Sequence, residues 1–288
     1  MRLAFLGTPE AAVAPLEALI DAGHDVRLVV TQPDRKRGRG GALVPSPVKA
    51  AAVAHNLEVT DGVEDVVDAG VELGVVVAFG KLIKAHVLDA VPMVNLHFSL
   101  LPRWRGAAPV ERALLAGDRE TGVCLMALDP GLDTGPVYDC VRTPIGDDES
   151  LDELRGRLVE LGTALLIERL GAPLGRPTPQ AGEATYAAKI DAAELELDFT
   201  RPAAEIHRTV RLGRAWTTFR GARLQVLAAR PVVQGPSPAT IDGLVVGCGG
   251  GTGLELLTVK PEGRGAQPAA SWRNGARPSA GEILGDAR

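Results

Sequence analysis

No apolar run in this 288-residue chain approaches the roughly 20 residues that a membrane-spanning helix needs. The first ten residues, MRLAFLGTPE, lack a signal-peptide layout, because Pro9 and Glu10 cut the apolar stretch short. Cysteine is scarce: Cys124, Cys140 and Cys248 are an odd number at wide spacing. They are expected to be reduced thiols in a cytoplasmic protein, not a disulfide frame or a zinc site. Neither C-x-x-C nor H-E-x-x-H occurs, so no metal is expected. Nucleotide loops are missing as well. The stretch GCGGGTG (247–253) lacks the Gly-Lys-Ser/Thr ending of a phosphate loop and reads as a hairpin turn. The GTP of residues 7–9 lacks the spacing of a dinucleotide fingerprint. There is no internal repeat and no low-complexity tract.

What is present is ordinary for a globular protein: 45% hydrophobic and 23% charged residues. The length suggests two domains and allows a sizeable core. The net charge of −5 argues against a general polyanion binder, but the charge is unevenly spread. Residues 201–288 carry 12 Lys/Arg and 6 Asp/Glu, a net of +6, while residues 1–200 carry 19 and 30, a net of −11. An acidic body with a basic C-terminal part implies domains with different partners, and a basic unit commonly means nucleic acid.

In the N-terminal half, strand-like and helix-like segments alternate. RLAFLG, DVRLVVTQ, VVVAFG, MVNLH and GVCLMAL read as strands. Helices are expected from Thr8 and Pro9 to about Ala22, closed by Gly23, over PVKAAAVAHN, over 64–69 and over APVERALLAG, and a long one over 150–170. This pattern predicts an α/β fold, a doubly wound, mostly parallel sheet whose ligands bind beyond the carboxyl ends of its strands. PLGRPTPQAGEAT (173–185) reads as a connector. After a helix near 202–212, short runs separated by Gly and Pro predict a small β-barrel. The expected division is a catalytic domain over 1–182, a linker over 183–200 and a barrel over 201–288.

Directly after MVNLH lies a dense polar cluster, NLHFSLLPRWRGAAP (95–109). Asn95 and His97 are two apart, so on a strand both leave the same face. LDPGLDTGPV adds Asp129 and Asp133 in a glycine-fixed loop. A carboxylate beside His97 would orient its ring and raise its pKa, and the Asn95 amide would donate to an oxygen gaining charge. Such a set suits acyl transfer. A turn-capping role for the Asp is the alternative. Ser99 as a nucleophile is weaker, because no G-x-S-x-G elbow surrounds it.

N-x-H-x-S-L-L-P, then R-W-R-G-A-A-P and G-L-D-T-G, resemble the folate-dependent formyltransferases. The resemblance begins at FLGTPE (5–10) and runs through VTQPDRKRGRG, PSPVK, VVVAFGKLI, AGDRETGV and TYAAKI into the C-terminal part. It implies a Rossmann-like catalytic domain followed by a barrel resembling the oligonucleotide-binding fold that grips tRNA. It also implies 10-formyltetrahydrofolate as co-substrate and the α-amine of methionyl initiator tRNA as acceptor; a monomer is expected. By position, Asn95, His97 and Asp133 match the family's catalytic trio. Ser99, Leu100, Leu101 and Pro102, with Phe79, Gly80, Lys81 and Leu82, match its folate-binding segments. Arg35, Lys36, Arg37 and Arg39 match the loop that reaches the acceptor stem. Arg208, Arg211 and Arg214, three apart, are candidates for a phosphate-facing stripe in the basic part. Phe98 stands where the family usually has Gly, the 60–74 stretch is shorter than usual, and the late basic run is reduced to GRGAQPA. Formyl transfer to a sugar or glycinamide amine, hydrolysis of the formyl-folate and a non-enzymatic tRNA-binding module are the competing readings.

Overall fold

A computed structural model describes residues 1–37 and 41–285. The chain forms two compact units: residues 1–109, 120–144 and 155–188 make the first, and residues 110–119, 145–154 and 189–288 the second.

The first unit is built on a seven-stranded sheet. Its order is Val137–Pro144, Glu120–Ala127, Met93–His97, Leu73–Val77, Arg2–Gly7, Asp25–Val30 and Val59–Thr60. The last five of these run parallel, and the other two are antiparallel to their neighbours. Central strands such as Arg2–Gly7 are buried on both faces: Leu3 and Phe5 on one, Ala4 and Leu6 on the other. A strand covered on both faces needs a continuous apolar run, and RLAFLG supplies one. Ala4, Leu6, Leu28, Val30, Val76 and Met93 share one core layer.

The second unit is antiparallel. Trp216–Phe219, Ala222–Val232, Gly253–Pro261, Val245–Gly247, Thr240–Asp242 and Glu282–Ile283 pair in that order. A bridge from Phe219 to Leu284 brings the two edges together and nearly closes the barrel. The helix Ala203–Val210 buries Ala203, Ile206 and Val210, spaced as one helical face, into the barrel core. The helix Ala269–Ala276 adds Trp272, packed edge-on against Phe219. The 247–253 turn joins two antiparallel strands, with Gly250 and Gly251 both at positive φ, as a hairpin requires.

Several expectations change. Cys124 and Cys140 form a disulfide, so two of the three cysteines are not reduced thiols. They stand opposite each other on neighbouring antiparallel strands, with Cα atoms 4.1 Å apart. This proximity comes from strand register, which a separation of 16 residues does not reveal. Only Cys248 is a free thiol, and burial pushes its pKa up to about 11. The helix expected over 64–69 is a single 3-10 turn, Glu64–Val66. The first helix opens with a 3-10 turn, Glu10–Ala12, and Thr8 does not cap it; its hydroxyl donates to the Phe79 carbonyl instead. The 173–185 stretch is no free connector. Thr178 pairs with Val137 at 2.8 Å in both directions, and Tyr186–Ala187, just beyond, pairs with Arg105–Gly106. Leu197 and Phe199, from the stretch expected as linker, are part of the barrel core. The strand Val137–Pro144 and the helices Ala85–Ala90 and Ala269–Ala276 were not anticipated. Among the described residues no helix is long and apolar enough to cross a membrane.

Candidate active site

The strand Met93–His97 runs parallel to Leu73–Val77 and ends at His97, at the carboxyl edge of the sheet. All five of its residues are buried. Asn95 and His97 project from one face, with relative exposures of 9% and 5%. No hydrogen bond to the Asn95 amide side chain is found among the described residues.

Beyond His97 the chain makes a tight turn built by Ser99. Its backbone N–H donates to the His97 carbonyl at 2.9 Å, and its hydroxyl donates to the Arg103 carbonyl at 2.6 Å. Ser99 is wholly buried, so its hydroxyl serves the turn. The Leu101–Pro102 bond is cis. Leu100 lies over Gly122, where an added Cβ would fall 2.5 Å from the leucine and 2.2 Å from the Val141 carbonyl oxygen. Phe98 is not among the residues at positive φ, and its ring lies over Gly162 of the helix Leu151–Leu170. The Phe98 side chain is therefore accommodated without a left-handed backbone.

This turn brings the Trp104 carbonyl to within 2.9 Å of His97 Nε2. A carbonyl only accepts, so Nε2 carries the hydrogen, and the lone pair of the neutral ring is on Nδ1. Nδ1 faces Asp133 Oδ2 at 3.6 Å. Burial pulls the His97 pKa below its ordinary value, while the Asp133 carboxylate and the Trp104 carbonyl pull it back up. The resting ring is neutral, with a carboxylate placed to stabilise the cation once a proton arrives.

Asp133 is held by its loop. Asp129 is the turn-capping carboxylate, accepting from the Gly131 N–H and the Thr134 hydroxyl. Asp133 adopts φ +51, a left-handed conformation that costs an L residue roughly 1–2 kcal/mol. Its Oδ2 accepts the Gly106 N–H at 2.7 Å. Gly106 has φ +117, and a Cβ there would meet the Ala187 carbonyl oxygen at 3.0 Å. Gly135 sits so close to the Ala127 carbonyl that a Cβ would fall 1.9 Å from its oxygen.

The other expected site residues are placed differently. Phe79 is buried in the core, its carbonyl accepting from Thr8 and Gln32. Gly80 is at φ +75, Lys81 donates to the Asp61 carbonyl and lies over the Phe79 ring, and Leu82 is 79% exposed. Among the described residues no hydrogen bond or ion pair joins these four to Asn95, His97 or Asp133. Arg35 and Lys36 are exposed on a two-stranded ribbon, Arg35–Arg37 with Ala42–Val44. Arg39 lies outside the described residues. In the second unit, Arg208 donates to the Ala116 carbonyl. Arg211 donates to the carbonyls of Glu149 and Gly146, both at 2.7 Å. Burial draws the Arg211 pKa down, opposed by Glu149, Asp148 and Asp147. Arg214 is exposed beyond the helix. Arg208 and Arg211 are thus tied to main-chain carbonyls of their own unit, and Arg214 is the most exposed of the three.

Sequence reasoning missed three contributors: the Trp104 carbonyl, the Gly106 N–H and the Gln180 amide, which donates to the carbonyls of Asp133 and Gly135. The first two are main-chain groups that no side-chain pattern announces. Gln180 lies in a stretch whose Pro and Gly content signals only a loop.

Residues 1–170 match the formyl transferase family, and residues 189–277 match the formyl transferase C-terminal domain. The chain is 45% identical over 305 residues to the methionyl-tRNA formyltransferase of Thermus thermophilus, covering 99% of both proteins. It is 45% identical over 309 residues to that of Halorhodospira halophila, covering 98% of both. Among solved structures, a methionyl-tRNA formyltransferase from Clostridium thermocellum superposes with a TM-score of 0.60 at 17% identity, over 80% of this chain and 93% of that one. An N-formyltransferase from Helicobacter canadensis, in complex with folinic acid and dTDP-3-aminofucose, gives 0.70 at 17% identity, over 88% and 98%. At such identities these two structures speak for the fold.

Proposed function

Because the chain belongs to the methionyl-tRNA formyltransferase family, we propose that it transfers the formyl group of 10-formyltetrahydrofolate to the free α-amine of methionyl initiator tRNA, the step that prepares the initiator for translation. The observation that carries the reading is His97 Nδ1 facing Asp133 at 3.6 Å, with the Asn95 amide on the same strand face.

The methionyl amine attacks the formyl carbon, forming the new C–N bond and a tetrahedral oxyanion. Asn95 donates to that oxygen as its charge grows. The amine proton passes to His97 Nδ1, the free lone pair of the resting ring, and Asp133 stabilises the imidazolium. As the bond from carbon to the folate N10 breaks, His97 returns the proton to that nitrogen. The products are formylmethionyl-tRNA and tetrahydrofolate, and no covalent enzyme intermediate is needed. The commitment of the Ser99 hydroxyl to the Arg103 carbonyl supports that last point.

We assign the chemistry to the first unit and tRNA binding to the second, in place of the expected divisions at 182 and 201. Ser99, Leu100, Leu101 and Pro102 shape the folate pocket as a turn, and 79–82 is its second wall. Arg35, Lys36, Arg37 and Arg39 dock the acceptor end, and in the second unit Arg214 faces tRNA phosphates. Arg208 and Arg211 brace their own unit through carbonyls. We propose that the chain acts as a monomer. Cysteine usage no longer supports a cytoplasmic location; that proposal now rests on the tRNA substrate.

The test is product identification. The protein is incubated with 10-formyltetrahydrofolate and, separately, methionyl initiator tRNA, an amino sugar nucleotide, glycinamide ribonucleotide or buffer alone. Formylmethionyl-tRNA as the main product supports the reading. Formylated small amines, or formate alone, overturn it.

A further inference from the structure

Gln180 lies outside the trio, in the 173–185 stretch expected as a connector. Its side-chain Nε2 donates to the carbonyls of Asp133 and Gly135, both at 2.8 Å. Its Oε1 accepts from Arg105 Nε at 3.0 Å and from Nη2 at 2.7 Å. The partners fix which way the amide points. Carbonyls only accept and a guanidinium only donates, so the reversed amide would lose every one of these bonds.

The two sides of this bridge meet at one carboxylate. On one side Gln180 grips the main chain of the loop that carries Asp133. On the other it grips Arg105, whose neighbour Gly106 donates its N–H to Asp133 Oδ2. Asp133 is thus held through its carbonyl and its carboxylate by two segments that Gln180 ties together. Some restraint is needed, because Asp133 is a non-glycine residue at φ +51 and its Oδ2 must stay opposite His97 Nδ1.

The backbone around Gln180 is anchored independently of this side chain. Thr178 exchanges two hydrogen bonds with Val137, and the Thr185 hydroxyl accepts the Trp104 N–H at 2.9 Å. The 178–187 segment therefore keeps other anchors when this amide is removed.

We infer that Gln180 is a positioning residue for the formyl transfer, holding the Asp133 carboxylate against His97 by bridging the Asp133 loop and Arg105. The inference rests on the proposed function for its kinetic consequence, but not for its structural one. Gln180→Glu separates the two halves of the bridge. It keeps an acceptor for Arg105 and places a second acceptor against two carbonyl oxygens, so the grip on the Asp133 loop is lost. Gln180→Ala removes both halves.

The experiment uses the full chain as wild type, Gln180→Glu and Gln180→Ala. Steady-state kinetics are measured with 10-formyltetrahydrofolate and methionyl initiator tRNA. The His97 ring is titrated by nitrogen-15 NMR in the same three chains, with His97→Gln identifying its signal, and thermal melts are recorded. Displacing a catalytic partner by about 1 Å is expected to cost about 10²-fold in kcat for both variants. KM for either substrate should stay within about threefold, since binding groups are untouched. With Asp133 no longer held in place, the His97 titration should move to lower pH, because the carboxylate is what raises it.

Wild-type kcat in Gln180→Glu would overturn the inference, since Arg105 alone would then explain the residue. A fall in kcat with an unmoved His97 titration would overturn it too, as the loss would be general and structural. If the wild type forms no formylmethionyl-tRNA, the proposed function fails, while the His97 titration still decides the positioning role.

Discussion

His97 donates from Nε2 to the Trp104 carbonyl, so Nδ1 is the ring nitrogen left to take a proton, and Asp133 stands beside it. Burial lowers the His97 pKa and the Asp133 carboxylate raises it, with burial the larger effect. The base must be neutral to act, so turnover should fall as pH drops through the His97 value. Asp133→Asn removes a raising influence. The acid limb of the kcat–pH profile should therefore move to lower pH, and the plateau should fall by about 10²-fold or more because the imidazolium loses its partner. A limb that moved to higher pH would contradict this account of the pair. At this scale the sequence was informative where a side chain does the chemistry. Asn95, His97 and Asp133 carried a readable spacing, and the turn-capping role weighed for Asp133 belongs to Asp129. The Gly106 N–H and the Trp104 carbonyl were not readable, because every residue carries a main-chain carbonyl and all but proline an N–H.

Among the elements, Met93–His97 was legible because an unbroken apolar run leads into polar residues spaced two apart. The strand Val137–Pro144 was not. It lies at the edge of the sheet, all but one of its residues are half-buried or exposed, and YDCVRT offers no apolar alternation. Missing that strand hid the register that sets Cys140 against Cys124, and hence the disulfide. The crosslink closes a separation of 16 residues, so Cys140→Ser should lower the unfolding free energy by at most roughly 3 kcal/mol. The check is urea unfolding with and without a thiol reductant. The wild type should lose its advantage over the variant once reduced, whereas equal midpoints under oxidising conditions would show that the crosslink does not stabilise the fold. The 173–185 stretch shows a further limit of composition. Pro and Gly announced a loop correctly but not that Thr178 and Gln180 bind it to the sheet and the site loop.

For the whole molecule, alternating elements in the first half and short Gly-punctuated strands in the second were enough to read a parallel α/β unit and an antiparallel barrel. Strand order and the segments shared between units were not readable, because they depend on contacts far apart in sequence. Residues 110–119 and 145–154 belong to the second unit although they lie within the first half of the chain or near it. Two buried histidines give the molecule a pH response. Burial lowers the pKa of both His97 and His207 from the ordinary 6.5. The unfolded chain then binds these protons more readily than the folded one. The stability they contribute is complete above about pH 6.5 and is lost as pH falls from there through the folded values. Melting temperature should drop on acidification across that window, and a flat or rising profile would contradict the burial assignment. The central claim is that Asn95, His97 and Asp133 perform formyl transfer to methionyl initiator tRNA. Its most direct test is single-turnover formation of formylmethionyl-tRNA by the wild type and by His97→Gln, with 10-formyltetrahydrofolate binding measured alongside. The account predicts retained binding and a rate lower by about 10²-fold or more in the variant; a His97→Gln rate close to that of the wild type would contradict it.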